Sequence, residues 1–299
     1  MKRGAAIVAV LVSAACFATL AVLAVLAYEQ GARPLPLLAW RFSIVAALMA
    51  AYLAWRRPGE LTAHLRCLPR YAALSLSGYG AASVCFFFAL RYASASVVAV
   101  LLYTYPALVA LAAVALHGER LTGRHVLALA TTFAGCVAVV GLLDSRASVS
   151  VTGVLLGLGA AVGYATFSVL SSRVVAGQGR LVVMTYTFGL SAMGAVGVAL
   201  LAGESLSPSG WTPVLWALLG VIVVVPTFAA VVLYLHGVRV LGASHAALAS
   251  TAEPVFTIAL ASVALGERLT FVQSLGALLV VAGIALAEWP SSGEGVALV

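Results

Sequence analysis

Ala249-Ser250-Thr251-Ala252-Glu253-Pro254-Val255-Phe256, running on to Leu265-Gly266-Glu267-Arg268-Leu269-Thr270, is the stretch on which the reading of this chain turns. Glu253 sets a carboxylate in the middle of an apolar segment about as long as a bilayer crossing, ~20 residues. Pro254 then removes a backbone donor where no water can compensate. The same layout occurs once earlier: Tyr105-Pro106 inside an apolar segment, then His117-Gly118-Glu119-Arg120-Leu121-Thr122. At an offset of 148 residues Arg91, Tyr105, Pro106, the run 118–122 and Gly135 fall on Arg239, Glu253, Pro254, the run 266–270 and Gly283. At an offset of 147, Phe17-Ala18-Thr19 falls on Tyr164-Ala165-Thr166.

Composition decides the solvent. Of 299 residues, 64% are hydrophobic and 8% charged, against roughly 25% charged in soluble domains. Such a surface belongs in lipid. Nothing shows the ~10-residue alternation of barrel strands, so the fold class is an all-α polytopic membrane protein. The formal net charge of +7 comes largely from arginines placed between apolar segments. They read as orientation signals, and nucleic acid is not expected as a partner. Cys16, Cys85 and Cys136 lie inside apolar segments and Cys67 in a loop, with no Cys-x-x-Cys. No metal and no cofactor are expected. The start, Lys2-Arg3 followed by an apolar run from Ala5 to Ala27, has the outline of a signal peptide. However, Ser13 stands where a lipoprotein site wants an aliphatic residue, and the run continues past Cys16. A retained first helix is expected.

Ten spans follow from the apolar runs: about 4–27, 35–55, 71–91, 94–116, 123–141, 151–173, 181–202, 211–236, 243–265 and 269–288. With the N-terminus inside, the inner segments hold eleven Lys and Arg residues against four (Arg33, Arg91, Arg146 and Arg268) in the outer ones. With an even number of spans, this positive-inside bias places both termini of the multi-pass chain in the cytoplasm. The repeat divides the chain into residues 1–142 and 150–288, with five helices each, and a tail at 289–299 that reads as disordered. Five is odd, so the second half enters the membrane inverted. Inverted repeats are a transporter architecture with a central site between the halves.

Two five-helix halves, each with a proline-bearing fourth helix followed by Gly-Glu-Arg-Leu-Thr, resemble the EamA-type transporters of the drug/metabolite transporter superfamily. Trp40-Arg41-Phe42 in span two and Glu253-Pro254 in span nine also match that pattern. The resemblance covers nearly the whole chain. It implies export of amino acids, related metabolites or drugs across the bacterial inner membrane. The aromatic residues expected around the cavity look similar to the aromatic amino-acid exporters in particular. The first half departs from the pattern in carrying Tyr105 where the second has Glu253.

Glu253 has two readings. It is a proton carrier or ammonium binder, or it has a structural role, bracing the carbonyls freed by Pro254 or pairing with a fixed arginine. Arg41 either clamps a substrate carboxylate with its planar fork or serves structure by bonding a neighbouring helix end. Mid-membrane polar and aromatic residues complete the candidate pathway: Phe17, Thr19, Tyr79, Phe86, Tyr103, Tyr105, Tyr164, Thr166, Tyr234 and Thr251. Pro106 and Pro254 are candidate hinges, and Pro226 in span eight a further one without counterpart. His236 and His245 flank the inner loop between spans eight and nine and read as solvated. Gly153, Gly157, Gly159 and Gly163 read as close helix packing.

Enzyme signatures are absent: there is no His-Glu-x-x-His, Gly-x-Ser-x-Gly or Walker loop, and Lys2 is the sole lysine. The expectation is therefore a secondary transporter, not an enzyme. Its partners would be a small-molecule substrate, the lipid bilayer and, as candidate coupling ion, protons. The cavity would be lined by spans one, three, four, six, eight and nine, with spans five and ten peripheral. A lipophilic cationic drug or a sugar-linked metabolite is the alternative substrate class, and a non-transport membrane scaffold the alternative function.

Overall fold

The computed structural model describes residues 2–57, 59–60, 65–117, 123–140, 150–174 and 179–288. The first-half Gly-Glu-Arg-Leu-Thr run at 118–122 and the tail at 289–299 lie outside them. Among the described residues there is no strand, and every long apolar run is helical. The helices are α1 (Lys2–Glu29), α2 (Pro34–Arg56), α3 (Leu65–Ala89), α4 (Ala95–Leu102), α5 (Tyr105–His117), α6 (Gly123–Val140), α7 (Val151–Val174), α8 (Arg180–Leu201), α9 (Pro213–Leu241), α10 (Ala243–Ser250), α11 (Glu253–Ala264) and α12 (Phe271–Glu288). Among the described residues, six are long and apolar enough to cross a membrane, and shorter apolar helices accompany them. The outside is apolar: Leu201, Val263, Phe271 and Phe133 are 73–91% exposed. The guanidinium-bearing Arg41, by contrast, is 2% exposed. That inversion of the usual arrangement is what a hydrocarbon solvent selects, and the chain is a polytopic membrane protein.

Prolines decide where the helices break. Pro106 and Pro254 are each the second residue of a new helix, and each follows a two-residue break, at Tyr103-Thr104 and Thr251-Ala252. A proline has no N–H to give and its ring crowds the carbonyl four residues back, so the helix stops and restarts there. At each break a threonine turns back on the helix that is ending: Thr104 and Thr251 donate their hydroxyls to the Leu101 and Leu248 carbonyls at 2.8 and 2.7 Å. The expected fourth and ninth spans are therefore discontinuous helices, α4–α5 and α10–α11.

Pro226 acts differently. It lies in a widened turn, Val224–Ala229, within the unbroken α9. Thr227 donates to the Ile222 carbonyl at 2.8 Å, filling the gap in the hydrogen-bond ladder. The proline has no counterpart, but the wide turn does: Leu74–Tyr79 in α3, where Ser75 donates to the Thr187 carbonyl of α8 at 2.9 Å.

Packing repeats across the halves. α1 runs along α9 as α7 runs along α3, and α1 meets α10 and α11 as α7 meets α4 and α5. α2 pairs with α8, α4 with α11, and α6 with α12. The α6–α12 pair touches backbone to backbone: a Cβ at Gly135 would stand 2.6 Å from the Gly276 carbonyl oxygen. Two boundaries differ from the sequence reading. α3 begins at Leu65 with a 3-10 turn, Leu65–Cys67, and Pro69 is the second residue of the α-helical part that follows, where no intrahelical N–H is needed. α9 runs to Leu241, so the expected inner loop shrinks to Gly242, at φ 84° and ψ 163°, a conformation open essentially to glycine. His236 and His245 consequently lie in α9 and α10, both exposed.

The second Gly-Glu-Arg-Leu-Thr run, 266–270, can be read residue by residue. Gly266, at φ +67°, ends α11. Thr270 and Gln273 start α12 as a reciprocal capping box, with Thr270 N–H donating to Gln273 Oε1 at 3.1 Å and Gln273 N–H to Thr270 Oγ1 at 3.3 Å. Glu267 reaches across to the start of α4.

Candidate functional site

A cavity of about 120 Å³ lies among α1, α2, α3, α4, α5, α7 and α11. One water needs roughly 10–15 Å³ of such space, so the cavity has room for a small solute or several waters. Its wall holds Phe17, Arg41, Tyr79, Phe86, Tyr103, Tyr105, Tyr164 and Glu253 from the candidate residues. The discontinuous helices explain the two most polar ends. Tyr103 sits in the break between α4 and α5, and Glu253 is the first residue of α11. There the Tyr103 hydroxyl donates to Glu253 Oε2. A carboxylate in the first turn of a helix also meets the positive end of that helix's dipole.

Arg41 comes from α2. Its Nε donates to Thr227 Oγ1 at 3.1 Å, in the wide turn of α9. Its guanidinium lies 5.4 and 5.6 Å from the Phe42 and Phe87 ring centres, and Tyr79 stands beside it. Among the described residues the single ion pair is Arg57–Glu60, so Arg41 and Glu253 share a cavity without pairing. Between them runs a chain of aromatic rings, four of them in the wall and Phe167 behind it. Tyr103 meets Tyr105 at 6.0 Å between ring centres, Tyr105 meets Tyr164 at 4.7 Å, Tyr164 meets Phe167 at 5.8 Å, and Phe167 meets Tyr79 at 5.4 Å. The site is thus a carboxyl and a guanidinium held apart and joined by ring faces and edges.

Four candidates lie elsewhere. Thr19 and Thr166 donate to the Cys16 and Val162 carbonyls of their own helices, at 2.7 and 2.9 Å. Back-bonding of this kind satisfies a hydroxyl inside lipid without any cavity. Thr251 is likewise committed to the Leu248 carbonyl. Tyr234 packs with Ala6, Val10, Leu241 and Ala246. Span eight, α9, gives no residue to the wall; its Trp216 instead joins Trp40 and Trp211 in a separate aromatic group. Span two, α2, enters the wall through Arg41. The sequence reading places span eight in the lining and offers Arg41 as a candidate without counting span two among the lining spans.

Several wall residues were missed. From Tyr79 and Phe86, steps of three and four residues along the helix reach Ala82, Ser83 and, four beyond Ser83, Phe87; from Phe17 they reach Leu20 and Ala21; from Glu253, Thr257. The helical period could have found each of them once its first member was chosen. Ala99, one turn before Tyr103, and Leu102, its immediate neighbour, also line the wall.

Comparison with known proteins agrees with this architecture. A crystal structure superposes with a TM-score of 0.65 at 24% identity, covering 95% of this chain and 96% of that one, which speaks for the fold. The uncharacterized transporter YyaM of Bacillus subtilis (strain 168) is 28% identical over 256 residues, 84% of this chain and 83% of that protein. The uncharacterized transporter YcbK of the same organism is 28% identical over 293 residues, 92% and 90% of the two chains. An uncharacterized transporter of Archaeoglobus fulgidus is 27% identical over 261 residues, 85% of this chain and 87% of that protein. The model of the EamA-like transporter family matches twice, over residues 4–141 and 151–289. With the family model spanning both halves, the chain belongs to the EamA-like transporter family and is a membrane transporter.

Proposed function

We propose that this transporter exports small amino acids or related metabolites across a cell inner membrane by alternating access, with protons as the coupling ion. The ten-span inverted topology with both termini in the cytoplasm belongs to the same reading. It is supported by the paired breaks, the recurring packing pairs and the arginine bias. One observation carries the substrate class: Arg41 and Glu253 face one cavity, unpaired with each other, across an aromatic wall. An α-amino acid presents a carboxylate to the first and an ammonium to the second, with its side chain against the rings. Arg41 in the same wall weighs against a lipophilic cation as the solute.

The test is uptake and counterflow in proteoliposomes, with a panel of amino acids, a cationic dye and a nucleotide sugar, with and without a pH gradient. Saturable amino-acid flux that follows the gradient is expected, and Glu253→Gln should abolish the gradient dependence. Flux of the dye alone would overturn the substrate class. Unchanged gradient dependence in Glu253→Gln would overturn the coupling.

A further inference from the structure

Glu267 ties the two halves together at one end of the cavity. Its carboxylate accepts the Ala95 backbone N–H at 2.6 Å on Oε1. On Oε2 it accepts the Ser96 backbone N–H at 3.1 Å and the Ser96 hydroxyl at 2.6 Å. These are charge-assisted bonds made at the N-terminus of α4, where the helix dipole adds to them. The tie links the turn after α11 to the start of α4. Those are the far ends of the two helical pieces that carry Glu253 and Tyr103. Ala99, Leu102 and Tyr103 follow Ala95 along α4 within about 12 Å at 1.5 Å per residue.

Packing around the tie also joins the halves. One cluster holds Ala95 and Val98 of α4 together with Leu37 and Phe42 of α2, Leu219 and Val223 of α9, and Ala261 of α11. A second holds Val97 and Leu101 of α4 with Val139 of α6 and Val280 of α12.

We propose that Glu267 is the latch that closes the cavity on the side of the Arg91 and Arg268 turns, and that the structure holds the state closed there. Opening to that side breaks the three bonds to Ala95 and Ser96 and parts α4 from α11. The proposal rests on the alternating-access reading, but its test needs no transported solute.

A single reporter cysteine is placed at the cavity wall by Ser83→Cys, in a background lacking the four native cysteines. The full chain is reconstituted and treated with a membrane-impermeant maleimide added to one face or the other. With Glu267 intact, labelling is expected from the face opposite the latch and slowly from the latch face. Glu267→Gln should raise the latch-face rate tenfold or more, and Ser96→Ala, which removes one of the three bonds, by less. Ser96→Ala keeps the test alive if Glu267→Gln fails to fold. Latch-face labelling unchanged in a folded variant overturns the proposal. Faster labelling with no flux of any solute leaves the latch standing and refutes only the transported-substrate reading.

Discussion

Gly135→Ala is a one-carbon change whose cost can be worked from the α6–α12 seam. The new Cβ would meet the Gly276 carbonyl oxygen at 2.6 Å, the Val280 nitrogen at 2.7 Å and Val280 Cγ2 at 2.8 Å. Two of these are backbone atoms of the facing helix and cannot swing away. Restoring ordinary contact at 3.4 Å separates the helices locally by about 0.8 Å. A gap of that size forfeits a quarter to a half of each dispersion contact. Over a seam patch of roughly 40–60 atom pairs at ~0.1–0.2 kcal/mol, this is about 1–6 kcal/mol before relaxation. Overpacked cores typically relax to a net cost of about 1–3 kcal/mol. The control is Gly197→Ala in α8, where a Cβ meets nothing within 4 Å. It should be neutral or slightly stabilising, since alanine is the better helix former. Thermal unfolding in detergent, read by loss of the monodisperse peak, should place Gly135→Ala well below wild type and Gly197→Ala at or above it. Equal midpoints for the two variants would refute the backbone-contact account of the seam.

Arg41→Lys keeps the charge and loses the planar fork along with the bond to Thr227; binding of amino acids, measured by equilibrium dialysis, should weaken by ~10–100-fold, the worth of one charged hydrogen bond. Tyr103→Phe removes the hydroxyl that Glu253 accepts, so its effect on flux should vanish in a Glu253→Gln background; additive effects in that double-mutant cycle would mean the pair does not act as a unit. Ser75→Ala removes a buried hydroxyl that bonds the Thr187 carbonyl and lies 2.8 Å from Ser191 Oγ, and should cost about 1–2 kcal/mol in chemical unfolding; no change would show that the wide turn of α3 does not depend on it.

The apolar spans and their breaks were legible because lipid enforces a simple rule: about twenty apolar residues, then charge, glycine or proline. The duplicated prolines pointed to the right places, but whether a proline kinks, breaks or widens a helix depends on what receives the freed carbonyl. At Pro226 the Thr227 hydroxyl receives it and α9 continues. Before Pro106 and Pro254 the nearby threonines bond Leu101 and Leu248 instead of the residues four before each proline, Leu102 and Ser250, and the helix stops. The wide turn in α3 has no proline to announce it; its Ser75 is held by α8, more than a hundred residues away. The cavity wall was half legible for a related reason. Aromatic and ionisable residues at mid-membrane depth stand out, whereas Ala82, Ala99 and Leu102 look like any lipid-facing residue until the helix face is known. Threonines mislead in the opposite direction, since a hydroxyl bonded to its own helix needs no cavity at all.

The single-residue link at Gly242 has a mechanical consequence. One residue between helices cannot hold their facing ends more than about 7 Å apart, so the end of α9 and the start of α10 travel together. The next joint along the chain, Thr251-Ala252, has two residues, and α11 beyond it is tied through Glu267 to the first half. In kinematic terms α9, α10 and α11 are three links with two joints of unequal slack. Glu253 is mounted on the third link, just past the looser joint. Any swing of α10 against α11 therefore turns about a point one residue from that carboxyl. The polar centre of the protein sits where the linkage bends.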